Sequence, residues 1–275
     1  MNGSVPIVDT YLSLSYSHKV RLMANSVSNW IRFILIGALN QYTPLKLNIK
    51  VLTKKGTTIY CPSYSWWAAY ENIACNPYLL NDYSGISSFL DIGANIGAFS
   101  LALLERFPLA TGIAVEPAPN VVQYLHRNLA ANKVDGKVKV IEAGVWKQSE
   151  QNCLFSLASA SEQSSIVDVE SGVPSAGYIK INTISLQELL SLAAEQKGVV
   201  DLVKIDIEGA EHEIIEDTPA QSWKIVRNLV MECHPVPAKS VEHLVDLLEN
   251  AGMALVKQTD PLISPNVNLW FSREK

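Results

Sequence analysis

From about residue 86 onward, short apolar or β-branched runs alternate with stretches whose apolar residues recur at helical spacing. Few architectures accept that alternation. Strand-type runs fall at 88–91, 112–116, 138–142, 202–206, 225–233 and 254–257, and "NVNLWFS" reads as a final edge strand. Between them, Val121, Tyr124, Leu125 and Leu129 form one helical stripe, Leu186, Leu189, Leu190 and Ala193 a second, and Val241, Leu244, Val245 and Leu248 a third. The pattern predicts an α/β domain with a mostly parallel sheet and helices packed on it. With 48% of its 275 residues hydrophobic, the chain can bury one large core.

The first 80 residues lack this rhythm and read as an N-terminal α/β extension, with the main domain at 81–275. The extension is expected to hold a helix over 17–40, a strand pair near 45–51 and 57–60 turning at Lys54-Lys55-Gly56, and an aromatic helix near 65–75. In the last, Tyr64, Trp66, Trp67 and Tyr70 suit either a small core or a sugar-stacking wall. The serine-rich stretch at about 150–182 interrupts the alternation and reads as a β insertion.

Charge narrows the partners. The net charge of -5, with acids and bases interspersed, offers no field for a nucleic-acid backbone. The longest apolar run of the extension, 33–39, is too short to span a bilayer, which takes roughly twenty residues. Its helical stripe, with His18, Lys19, Arg21 and Arg32 nearby, leaves peripheral membrane contact open beside packing on the main domain. The polar N-terminus lacks a secretion pattern, and the four scattered cysteines form no CxxC pair, so a cytoplasmic protein with reduced thiols is expected.

In open α/β sheets, ligands sit beyond the carboxyl ends of the strands, and the first strand-to-helix turn comes nearest to them. "FLDIGANIGAFS" at 89–100 occupies that turn. Gly93 and Gly97 let the backbone bend towards a ligand, and Asn95 tolerates unusual φ. Position 95 lacks the middle glycine of a dinucleotide fingerprint, and no Gly-Lys-Ser/Thr follows. Asp91 at the strand tip and Glu116 at the end of the second strand, with no base in the loop, suit a ligand bearing an ammonium, a sulfonium and a ribose diol. That ligand is S-adenosylmethionine. Glu116 is placed for the ribose hydroxyls, Pro117 and Pro119 start the next helix, and Glu142 and Ala143 at the third strand end would flank the adenine.

The segments "FLDIGANIGAFS", "AVEPAPNVVQYLHRNLAANK" and "LVKIDIEGAEHEII", followed by "LVMECHP", resemble the blocks of the FkbM family of S-adenosylmethionine-dependent methyltransferases, over about 86–235. Gln187 stands where that family often has an acid. The resemblance implies a class I methyltransferase fold, Rossmann-like, with a seven-stranded sheet and helices on both faces. It also implies O-methylation of a small-molecule or carbohydrate acceptor, a sugar, glycoconjugate or secondary metabolite.

In "KIDIEGAEHEII", period two places Asp206 and Glu208 on one side of the fourth strand's end, and His212 follows one helical turn later. Asp206 is expected between cofactor and acceptor, Glu208 at the acceptor, and His234 or His212 as the base. Asp206, Glu208 and a histidine could chelate a divalent metal, but the oxygen cluster is sparse and no metal is expected. A dinucleotide oxidoreductase and a non-catalytic scaffold at a membrane surface are the competing readings.

Overall fold

The computed structural model describes residues 5–8, 14–149, 152–156, 166–167 and 178–273, with the side chains of Tyr16, Trp67, Asn152, Ser156, Ile166 and Val167 outside that description. In chain order the elements begin with β1 (Ile7–Val8), α1 (Tyr16–Ser26), α2 (Trp30–Tyr42), β2 (Ile49–Leu52), β3 (Thr58–Cys61) and α3 (Trp66–Tyr70). The main domain follows with β4 (Ser88–Ile92), α4 (Ala98–Arg106), β5 (Thr111–Val115), α5 (Pro119–Ala131), β6 (Val138–Ile141) and β7 (Gly144–Trp146). Next come β8 (Asn152–Ser156), β9 (Ile166–Val167), β10 (Tyr178–Ser185), α6 (Leu186–Ala194), β11 (Leu202–Ile205) and α7 (Glu211–Asp217). The chain closes with β12 (Asn228–Cys233), α8 (Val241–Asn250), β13 (Ala254–Thr259) and β14 (Val267–Ser272).

Among the described residues the central sheet runs β1-β13-β14-β12-β11-β4-β5-β6. All its pairs are parallel except those of β14, which runs antiparallel to both β12 and β13. Without β1 this is the seven-stranded class I methyltransferase order. The eighth strand corrects the expectation: Ile7 and Val8 pair with Gln258 and Thr259, so the polar N-terminus supplies an edge strand. Every residue of β4 and of β11 is buried, as parallel strands covered on both faces require.

The helices start where the sequence caps them. Pro119 sits in the first turn of α5, and the Ser185 and Ser240 hydroxyls accept the Glu188 and His243 amides at α6 and α8. Two hydrophobic clusters result. One joins β4, α4 and α5 to Met23, Phe33 and Ile59 of the extension, and the other joins β11 and β12 to α6 and α8.

The helix expected over 17–40 is broken in two. Ser28 gives its amide to the Leu52 carbonyl at 2.7 Å, and the Asn29 side chain spans the Lys50 carbonyl (2.7 Å) and the Leu52 amide (3.0 Å). The β2 edge therefore claims the backbone at the break, and it also shifts the predicted strand pair to Ile49–Leu52 and Thr58–Cys61. Trp66 stacks on Phe33 (5.1 Å) and on Tyr70 (5.8 Å), so these aromatics join α2 to α3. Past α3 the chain widens into a π turn, Glu71–Cys75. The described part of the 150–182 excursion forms a sheet of order β7-β10-β8-β9, and the remainder of the expected insertion lies outside the described residues. No helix among the described residues is long and apolar enough to cross a membrane.

Candidate functional site

The carboxyl ends of β4, β5, β11 and β12 open on one cavity of about 650 Å³, within the size range of small-molecule sites. At one end, the β4–α4 loop turns through left-handed residues Gly93 (φ 74°), Asn95 (φ 50°) and Gly97 (φ 82°). A Cβ on Gly93 would lie 1.8 Å from the Asp206 carbonyl oxygen. The glycine therefore answers to the neighbouring strand end as well as to any ligand. Glu116, just beyond β5, accepts the Asn95 amide (3.0 Å) and the Ala118 amide (3.0 Å). Burial pushes its carboxyl up to about 7, against those two amides. Each oxygen keeps acceptor capacity for a diol.

The other end holds a charged cluster. His234 follows β12, and its Nδ1 lies 3.0 Å from Glu211 Oε1 while its Nε2 lies 3.3 Å from Glu208 Oε2 and 3.8 Å from Glu232 Oε1. Both ring nitrogens face carboxylates, which requires a proton on each. Burial opposes that charge, yet Glu211, Asp206 and Glu232 lift His234 to about 9. Glu232 receives the Asn266 amide at 2.8 Å. Burial and then Asp206 push Glu232 up to about 7, with His234 opposing.

Asp206 is held differently. The Tyr78 hydroxyl donates to it at 2.7 Å and Lys204 Nζ lies 3.5 Å away. Burial would raise its carboxyl, but Lys204 and His234 prevail and hold it below the usual range. Lys204 itself is buried in β11, donating to the Ile92 (3.2 Å) and Gly93 (2.7 Å) carbonyls beside Asp91 (3.5 Å). Burial opposes its charge, but Asp206 and Asp91 more than offset that. Glu208 sits at φ 58°, unusual for a residue with a side chain, and Gly209 follows at φ 101°. Glu211 fixes this turn by accepting the Ile207 and Gly209 amides, each at 2.9 Å.

Of the expected residues, Gly93, Asn95, Glu116, Pro117, Ala143, Asp206, Glu208 and His234 line the cavity. Four lie outside it. Asp91 is fully buried beneath the loop, bound to the Ser100 hydroxyl (2.6 Å) and Lys204, and so braces the turn from below. Gly97 begins α4 against Leu125. Glu142 is exposed at the surface, 3.4 Å from His126, and is not part of the cavity lining. His212 is 1% exposed and its Nε2 faces Cys233 Sγ at 3.5 Å, which removes it as a base. His234 reaches the cavity with both ring nitrogens set against carboxylates, a setting that favours the charged form, which has no lone pair with which to take a proton.

Lys204, Tyr78, Glu211, Glu232 and Asn266 are the site residues that sequence reasoning misses. Lys204 had a signal: a lysine inside an apolar parallel strand is costly unless acids meet it. Asp206, Glu232 and His234 bring ligand-type atoms within 4.8 Å of one another, a spacing that could seat a cation.

Residues 91–254, more than half the chain, match the family described as Methyltransferase FkbM domain. Methyltransferase sdnD of Sordaria araneosa is 26% identical over 261 residues, covering 84% of this chain and 92% of its own. The 31-O-demethyl-FK506 methyltransferase FkbM of Streptomyces tacrolimicus is 27% identical over 200 residues, 63% of this chain and 75% of its own. Among solved structures, methyltransferase FkbM from Methylobacillus flagellatus KT aligns at 15% identity and TM-score 0.44, over 69% of this chain and 44% of that one. The family match decides the assignment: the chain belongs to the FkbM methyltransferase family.

Proposed function

We propose that this protein transfers a methyl group from S-adenosylmethionine to a hydroxyl oxygen of a small metabolite or of a sugar that it carries. The observation that carries the reading is one cavity with a diol-accepting carboxylate, Glu116, at one end and a carboxylate–imidazolium cluster at the other. Glu116 would hold the ribose, and Val115, Pro117 and Ala143 offer apolar contacts for a base. Asp206 and Glu208, at the end of β11, are placed to receive an ammonium or an acceptor hydroxyl. The relative named for 31-O-demethyl-FK506 supports an oxygen acceptor on a secondary metabolite.

The cofactor supplies an electrophilic methyl on a sulfonium whose departure leaves a neutral thioether. The chain's own contribution is position and proton removal. Alignment can contribute about 7–11 kcal/mol in favourable cases, and Phe99 and Phe155 give the cavity wall an apolar part. Glu232 is the base we assign. It has a carboxylate at the cavity, the Asn266 amide to orient it, and a basicity matched to neutral pH. His234 stays charged and keeps Glu208 and Glu232 compatible as near neighbours.

Titration calorimetry with S-adenosylmethionine and with NAD tests the cofactor, and isotope-labelled methyl donor with hydroxylated glycosides and macrolides tests the acceptor. The expected result is binding of the first cofactor alone, with label on oxygen in the product. Glu232→Gln should lower kcat by about 10²–10⁴-fold and leave cofactor affinity within about twofold. Retention of NAD, or label on nitrogen or carbon, would overturn the reading.

A further inference from the structure

The outer face of α2 is apolar where a surface helix is ordinarily polar. Phe33, Gly37 and Asn40 point inward and are buried. Gly37 lies so close to the Trp66 ring that a Cβ there would meet it at 2.2 Å. The opposite face presents Ile31 (57% exposed), Leu35 (59%), Leu39 (39%) and Tyr42 (79%). Spacings of four, four and three residues put them on a single line of the helix. Leu45 and Leu47, just past the helix, are exposed as well.

Along this stretch of chain the charged residues have one sign, and Lys55 is ion-paired to Glu105. Between Thr10 and Tyr70 the chain places seven of its 22 Lys and Arg and none of its 27 Asp and Glu. Arg32, three residues before Leu35 and seven before Leu39, flanks the stripe itself. A second copy docking here would bring cations against cations, and a nucleic acid would leave the aliphatic line uncovered. An anionic lipid surface satisfies both features: aliphatic side chains enter the boundary of headgroups and acyl chains, a tyrosine rests at that depth, and cations meet the phosphates.

We propose that α2 seats this protein on an anionic bilayer surface through Ile31, Leu35, Leu39 and Tyr42, with Arg32 and the neighbouring lysines meeting the lipid phosphates. The same helix backs the cavity, because Trp66 of α3 packs on Phe33, and Ala68 and Glu71, just along the chain, line the cavity wall. The contact is peripheral: no helix among the described residues is long and apolar enough to cross the bilayer.

Sedimentation of the full chain with vesicles of phosphatidylcholine alone, or of equal parts phosphatidylcholine and phosphatidylglycerol, tests this at low and at high salt. The protein should pellet with the anionic vesicles and be released by salt. The doubly substituted Ile31→Asp, Leu35→Asp chain should lose at least about tenfold in partitioning with its thermal midpoint unchanged, and Arg32→Glu should weaken it several-fold. No pelleting with anionic vesicles, or full pelleting of the double variant, would overturn the proposal. So would a concentration-dependent dimer that Leu35→Asp dissolves while vesicles are ignored, since the face would then be a self-interface.

Discussion

The chemistry of this cavity turns on which groups hold protons. As the base we propose, Glu232 must be ionised to take the acceptor's proton, so the rate should climb as pH rises through about 7. His234 must stay protonated to balance the carboxylates around it, so the rate should fall as pH rises through about 9. A kcat profile with a plateau between those limits is expected. Glu232→Gln should remove the lower limb, and a rate that is flat from pH 6 to 8 in the unsubstituted protein would contradict the assignment.

Lys204 makes a second prediction at this scale. It is 3% exposed between Asp91 and Asp206, and replacing it with Met strands the buried Asp91 and takes the neighbouring cation from the half-buried Asp206. The cost should be about 3–5 kcal/mol in urea unfolding. These residues also mark where reading the chain works and fails. Asp206 and Glu208 were legible by position, at the carboxyl end of the fourth strand, although β11 stops at Ile205 and the left-handed turn at Glu208, not alternation, carries both to the cavity. Glu232 and Asn266 were not, since they meet only when β12 and the loop before β14 are neighbours, a pairing of residues 34 positions apart.

At the scale of elements, the β4–α4 loop shows one residue answering two demands. Gly93→Ala would push a methyl onto the Asp206 carbonyl in a left-handed backbone, combining overpacking of about 1–3 kcal/mol with about 1–2 kcal/mol of conformational strain. Thermal unfolding should therefore shift even without cofactor. An alanine variant as stable as the parent would show that the loop has room to relax. The strand and helix periods of the main domain were readable because each follows from covering a sheet on two faces. The break between α1 and α2 was not readable. Helix periodicity runs straight through 17–40, and only the β2 edge, competing for the amide of Ser28 and the side chain of Asn29, ends the first helix.

For the molecule as a whole, the charge network ties stability to pH. His234 titrates near 9 when folded and about 6.5 when unfolded, so its contribution is fully present below 6.5 and fades as pH rises through 9. That fade amounts to about 3 kcal/mol. Chemical denaturation at pH 7 and pH 10 should differ by roughly this amount, and His234→Asn should flatten the alkaline side. The edge strand β1 escaped sequence reading because two residues carry too little pattern to announce a strand.

The sheet order also sets a timetable for synthesis. Trp270, in β14, donates its indole N–H to the Tyr78 carbonyl, and the Tyr78 hydroxyl donates to Asp206. Ile7 and Val8 wait for β13 as their partner. The Asp206 end of the cavity thus depends on residues made well after the β4–α4 loop, and β1 docks only once β13 has been made. A nascent chain on the ribosome would carry the β4–α4 loop long before the far end of the cavity could assemble.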